Sequence, residues 1–299
     1  MKIRLTLISA IICCSQLVIA QNQKSGILYL DTLRKAKEYN YSDQRFIPKF
    51  TYLSKVDSNL VKTRLDLKLD SIAGEANEIS RILNILHWVH FVVWHDGEAN
   101  NPTSKNALDL ISYCKKQSRG MTCRMMATIL NECYLSLGIK SRIVTCMPKE
   151  INFDECHVIN AVYSNQLKKW IWIDPTFDAF VMDEKGELLG IQEVRERLIK
   201  GNPLILNPEA NWNRLTSQTK EDYLEHYMAK NLYRLECQVE SGYNTETWFV
   251  GKEINYVELL PLDGLEQNPQ KEEEIIAKTG VRFVFYKTNN PNSFWAKPE

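Results

Sequence analysis

The run Gly120-Met121-Thr122-Cys123-Arg124-Met125-Met126-Ala127-Thr128-Ile129-Leu130 decides how this chain folds. Its first residues form a flexible lead-in, its last the opening turns of an apolar helix, and a cysteine stands at the joint. A cysteine that merely fills space belongs further along, on the buried stripe. At a first helical turn, unpaired N–H groups and the helix dipole favour a thiolate. Cys123 therefore reads as a candidate nucleophile. The helix is expected over about Cys123 to Leu137, with Met126, Ile129, Leu130, Cys133 and Leu137 on its buried face. Gly138 supplies the stop, and Cys133 is a packing cysteine.

Upstream, Ile79, Ile82, Leu83, Leu86, Val89 and Val93 recur at helical spacing until His95-Asp96-Gly97 ends the run. A loop and a short helix follow, with Ala107, Leu108 and Ile111 facing inward. Downstream, Ile139 to Cys146 reads as a strand. His157 to Tyr163 and Trp170 to Asp174 then alternate with period two around the polar Ser164–Lys169 segment, which predicts a hairpin. A turn at Gly186, a short helix over Glu193 to Lys200, a helix over Thr219 to Asn231 and strands near Leu235, Val257 and Phe283 complete the pattern. The expected divisions are a leader at 1–20, an N-terminal segment at 21–74, a core at 75–206 and a C-terminal helix-and-strand region at 207–299. That last region is either a subdomain or an elaboration of the same sheet.

A thiolate nucleophile needs a base, and the base needs an orienting group. His157 opens one hairpin strand and Asp174 closes the other. Pairing Tyr163 with Trp170 puts both on one face, whereas a one-residue slip puts them on opposite faces. Taken singly, His157 could be a strand-end histidine in solvent, and Asp174 before Pro175 could simply start a turn. With Cys123 in the same chain, the three form a candidate catalytic set.

These segments, "RGMTCRMMATILNECYLSLGIKSRIV" followed by "CHVINAVYSNQLKKWIWIDPTFDAF", resemble the core of the transglutaminase-like superfamily. That family has a Cys at a helix start, a His opening a strand and an Asp in an "xDP" segment. The resemblance runs from about Ile79 to Leu204. It implies an α+β fold with papain-like topology, in which N-terminal helices carry the Cys and pack on an antiparallel sheet carrying the His and Asp. It also implies Cys123, His157 and Asp174 as the triad. The "ECHVIN" strand departs from the more usual His-Ala-Trp pattern. The family often holds its oxyanion with a Trp or polar side chain, and Trp94 and Gln117 are the candidates here. The implied chemistry is acyl transfer through a thioester. The Cys123 N–H is a ready oxyanion donor, of a kind worth roughly 3–4 kcal/mol in comparable enzymes.

Lys2 and Arg4 precede an apolar run to Ala20, the layout of a secretory signal peptide, so an exported protein, periplasmic or extracellular, starting near Gln21 is expected. Cleavage would reduce eight cysteines to six. Export permits disulfides, but their pairing is not readable from spacing. Lys+Arg and Asp+Glu are both 37, so no net field recruits nucleic acid. No later segment is apolar enough to span a bilayer. His87 and His90 lack a His-Glu-x-x-His pattern and read as packing residues. Cys146, Cys156 and His157 lack zinc spacing, so neither metal nor cofactor is expected. Cys156 should point away from His157's face and is not a second nucleophile. The favoured function is hydrolysis of a peptide or amide bond in a polypeptide or amide-containing substrate. Protein cross-linking and a non-catalytic scaffold are the alternatives.

Overall fold

Seven strands make one sheet that runs through the molecule in a computed structural model describing residues 28–153, 155–263 and 270–299. The expected signal peptide lies outside the described residues. In chain order the strands are β1 (Ser141–Met147), β2 (His157–Ser164), β3 (Lys169–Ile173), β4 (Arg234–Gln238), β5 (Glu253–Leu259), β6 (Lys271–Ile276) and β7 (Val281–Thr288). Across the sheet they follow the order β6-β7-β5-β4-β1-β2-β3. The neighbours are antiparallel except β5 and β7, which run parallel. Strands from after residue 207 thus share a sheet with the hairpin, joined where β4 pairs with β1.

Of the two registers open to the hairpin, the structure has the one that puts His157 and Asp174 on one face. Tyr163 pairs with Trp170 and Asn160 with Ile173. Side chains alternate across the sheet, and the two faces bury different apolar clusters. Ile159, Ala161, Tyr163, Trp170 and Trp172 belong to one cluster; Val162, Ile171 and Ile173 belong to the other, on the helical side.

Helices α1 (Ser58–Asp66), α2 (Leu69–Ala73), α3 (Glu78–Val92), α4 (Ala107–Gln117) and α5 (Cys123–Ser136) precede the sheet, and α6 (Ile191–Lys200) follows the hairpin. Asp57, Asn77 and Asn106 cap α1, α3 and α4 with their side chains, as short polar residues do at helix starts. The inward residues of α4 are Ala107, Leu110, Ile111 and Cys114, while Leu108 is half-buried rather than core. The expected one-sided stripe on α5 is also corrected. Every residue from Met125 to Ser136 is buried, because β1 and β2 cover one side and α1, α3 and α4 the others. Its polar residues are hydrogen-bonded inside the protein. The two Glu132 carboxylate oxygens accept from the N–H groups of Ala107 and Asn244, each at 2.8 Å, and Asn131 donates to Ser241 at 2.9 Å. Residues Glu221–Met228 form a π-helix continued by Ala229–Asn231, where one α-helix was expected. The Ala229 N–H reaches back five residues to the Leu224 carbonyl.

Candidate active site

Cys123 is the first residue of α5. Thr122 stands at the cap in extended conformation but makes no side-chain cap bond among the described residues, so the first-turn N–H groups are not consumed by it. Arg124 anchors the same turn to the sheet, donating to Thr145 at 2.8 Å and pairing with Glu246 at 3.3 Å. The half-buried thiol packs beside Ala127, Ile143 and Val158.

His157 is the first residue of β2, so the strand does not screen its ring from the helix tip. The His157 ring and the Cys123 thiol are electrostatically coupled. On its far side His157 Nε2 lies 2.7 Å from Asp174 Oδ2. Phe177 and Tyr227 meet the ring edge-on, with centroids at 5.6 and 5.3 Å. The ring is 1% exposed. Packing and the carboxylate together leave it one orientation.

Asp174 follows directly on β3, on the face that its register predicts, and is fully buried. Oδ1 accepts from the Thr176 N–H at 2.8 Å, and Oδ2 accepts from the Tyr223 hydroxyl at 2.6 Å. Trp172 Nε1 donates in turn to that hydroxyl at 3.1 Å. The turn after Asp174 closes through paired backbone bonds with Ala179, at 2.9 and 3.0 Å. Helix α3 holds this turn from outside. His87 Nδ1 meets Asp178 at 2.7 Å, and the buried His90 bonds the Pro175 carbonyl and Asn211, both at 3.0 Å. The two histidines expected to serve as packing therefore brace the carboxylate loop.

Charge follows from these contacts. Burial opposes ionisation of Cys123, yet hydrogen bonds from His157 and His95 outweigh it and bring the thiol down to about 6. Burial likewise opposes charging His157, but the Asp174 carboxylate and then Cys123 push the ring up to about 10. The two act as one coupled thiolate–imidazolium pair. The other cysteines go the opposite way. Burial pushes the thiols of Cys114, Cys133, Cys146, Cys156 and Cys237 upward. Cys156 is thus held as a thiol, in keeping with its exclusion as a second nucleophile. None of the six is in a disulfide.

The structure therefore brings Cys123, His157 and Asp174 together. The two oxyanion candidates are placed differently. Gln117 is exposed at the C-terminal end of α4, and the Trp94 indole lies over Gly120. The residue of that segment that meets Cys123 is His95. His95, Tyr223 and Tyr227 were not readable as site residues, since what joins them to the triad comes from distant loops and a π-helix.

The sequence model of the transglutaminase-like superfamily matches residues 66–175, which span the nucleophile helix and the hairpin and include all three side chains. The chain carries a transglutaminase-like core. The superfamily is one of cysteine enzymes. The match begins upstream of Ile79, taking in α2, and ends at Pro175, short of Leu204. Among solved structures, the chain is similar to a candidate cysteine protease from Cytophaga hutchinsonii. The two are 19% identical over 43% of this chain and 46% of that one, with a TM-score of 0.31, a likeness too slight to carry an argument. No curated protein matches the sequence.

A cavity of about 550 Å³ opens beside the transglutaminase-like site, lined by Trp94, His95, Phe177, Trp212 and Tyr227 among others. Through His95 and Tyr227 it reaches the groups that touch Cys123 and His157.

Proposed function

We propose that the protein is an exported cysteine enzyme that transfers acyl groups through a thioester on Cys123 and hydrolyses a peptide or amide bond. The observation that carries this reading is the buried His157 ring, held 2.7 Å from the Asp174 carboxylate and coupled to the Cys123 thiol at the tip of α5, an arrangement that favours the thiolate. In this reading the thiolate attacks the substrate carbonyl and the His157 imidazolium delivers its proton to the departing amine. Water then enters, His157 takes its proton, and the thioester is cleaved. Asp174 keeps the ring's tautomer fixed and stabilises its charged form. Water is favoured over an amine as acceptor because the site opens to solvent on the cavity side.

Export is supported by the charged, apolar and small-residue order of residues 1–20. Among the described residues no helix is long and apolar enough to cross a membrane. N-terminal sequencing of protein recovered from the periplasm or medium should begin near Gln21; an intact Met1 there would contradict export by cleavage.

Fluorescein-labelled casein tests the reaction. Release of small labelled peptides by the wild type, abolished in Cys123→Ala, is expected. Stable incorporation of a dansylated amine into the casein, without peptide release, would assign cross-linking instead. Neither signal, alongside an unreactive Cys123, would leave the scaffold alternative.

A further inference from the structure

His95 lies beside the lead-in of the nucleophile helix, and its neighbours decide which ring nitrogen carries the proton. The segment is pinned to the lead-in of α5. The Met121 N–H donates to the Trp94 carbonyl and the Asp96 N–H to the Met121 carbonyl, both at 2.8 Å. His95 therefore stands beside Met121, two residues before the nucleophile. The Asn213 side chain clamps its backbone in both directions, accepting from the His95 N–H at 2.6 Å and donating to its carbonyl at 2.9 Å.

The ring itself is held by Trp212, whose indole Nε1 lies 3.2 Å from His95 Nδ1. An indole N–H only donates, so Nδ1 must accept. The proton of the neutral ring is then on Nε2, the nitrogen that Trp212 does not engage. An imidazolium would set two N–H groups against each other at Nδ1. The two histidines beside Cys123 thus differ in what backs them: a carboxylate behind His157 and an indole N–H donor behind His95.

We propose that His95 is a catalytic residue, a neutral Nε2–H donor that with the Cys123 backbone N–H binds the oxyanion formed on Cys123. This rests on the acyl-transfer reading above. When the thiolate attacks, the C–S bond forms and the carbonyl π pair moves to oxygen. That oxygen accepts from Cys123 N–H and His95 Nε2–H. Collapse restores the carbonyl and breaks the bond to the leaving group, which departs with the His157 proton when it is an amine. Hydrolysis of the thioester passes through a second oxyanion at the same two donors. The half-buried ring lines the cavity through which a carbonyl would arrive.

Acylation and alkylation separate this role from a structural one, because an oxyanion forms when p-nitrophenyl acetate acylates the sulfur but not when iodoacetamide alkylates it. At pH 9, where the thiol is ionised in every variant, His95→Phe should slow acylation about 100-fold, while alkylation changes less than threefold. His95→Gln, which retains an N–H donor, should regain at least tenfold of that loss. Equal losses in both reactions, or none in either, would overturn the proposal and leave the wider reading standing. Wild-type acylation no faster than that of Cys123→Ala would overturn both. Nitrogen-15 spectra of the wild-type histidines give a test that needs no variant: the neutral His95 ring should be the Nε2–H tautomer, and an Nδ1–H tautomer would contradict the assignment.

Discussion

The Tyr223 hydroxyl donates to Asp174 Oδ2 at 2.6 Å, the same oxygen that holds His157 at 2.7 Å. One carboxylate oxygen therefore fixes both the ring next to the nucleophile and a tyrosine brought in by the π-helix. In such a helix residues four apart lie nearly in line, and Tyr223 and Tyr227 use that spacing to reach Asp174 and His157 together. π-Helical insertions recur at functional sites.

Tyr223→Phe removes the donor while keeping the ring against Trp172 and Phe177. A hydrogen bond to a charged group contributes about 1.5–3 kcal/mol. Loss of one of Asp174's partners should thus slow Cys123 acylation roughly tenfold or more and also lower the melting temperature, because Trp172 Nε1 loses its acceptor as well. A burst assay with p-nitrophenyl acetate measures it.

Asp174→Asn keeps the shape but offers His157 a group that no longer stabilises its charge. Acylation should fall by about 10³–10⁴. The apparent pKa of the Cys123 thiol should rise toward the free value, because the His157 imidazolium that lowers it is less stable. Titrating alkylation rate against pH in the variant checks both.

Gly120→Ala tests the seat of the 94–96 segment. A Cβ at Gly120 would come 2.5 Å from Asp96 Cβ and 2.9 Å from the Trp94 indole. The segment must move, and the His95 contact with Cys123 loosens. Acylation should drop at least tenfold while the far-ultraviolet circular dichroism remains that of the wild type.

Glu132→Ala tests the frame rather than the chemistry. It strips acceptors from two backbone N–H groups and leaves a cavity inside α5's packing. The expected cost is about 2–5 kcal/mol, read as a lower midpoint in urea. The folded fraction should still alkylate at Cys123 at the wild-type rate.

The hairpin was legible from its period of two, but alternation alone leaves its register open to a one-residue slip; the fold selects the pairing of Tyr163 with Trp170, which puts His157 and Asp174 on one face. Cys123 was legible because a helix start has its own signals. The surroundings of α5 were not. Glu132, Asn131 and Ser136 look like a solvated face, and their partners lie in loops around residues 107 and 241–244. Strand β6, with the sequence KEEEII, reads as a charge run, yet it forms an edge where charges deter further pairing. His95 was passed over because the indole that sets its tautomer is 117 residues away in sequence. His87 and His90 were named, but the loop they brace becomes visible only once the chain is folded.

The pH dependence of Cys123 alkylation by iodoacetamide, followed at that residue by mass spectrometry, tests the central claim most directly. Burial alone would raise the thiol, whereas contacts with His157 and His95 hold it near 6. The rate should therefore inflect near pH 6 and stay high through neutrality. His157→Ala should shift the inflection upward. An inflection at about 8.5, the value of a free thiol, unmoved by His157→Ala, would contradict the account.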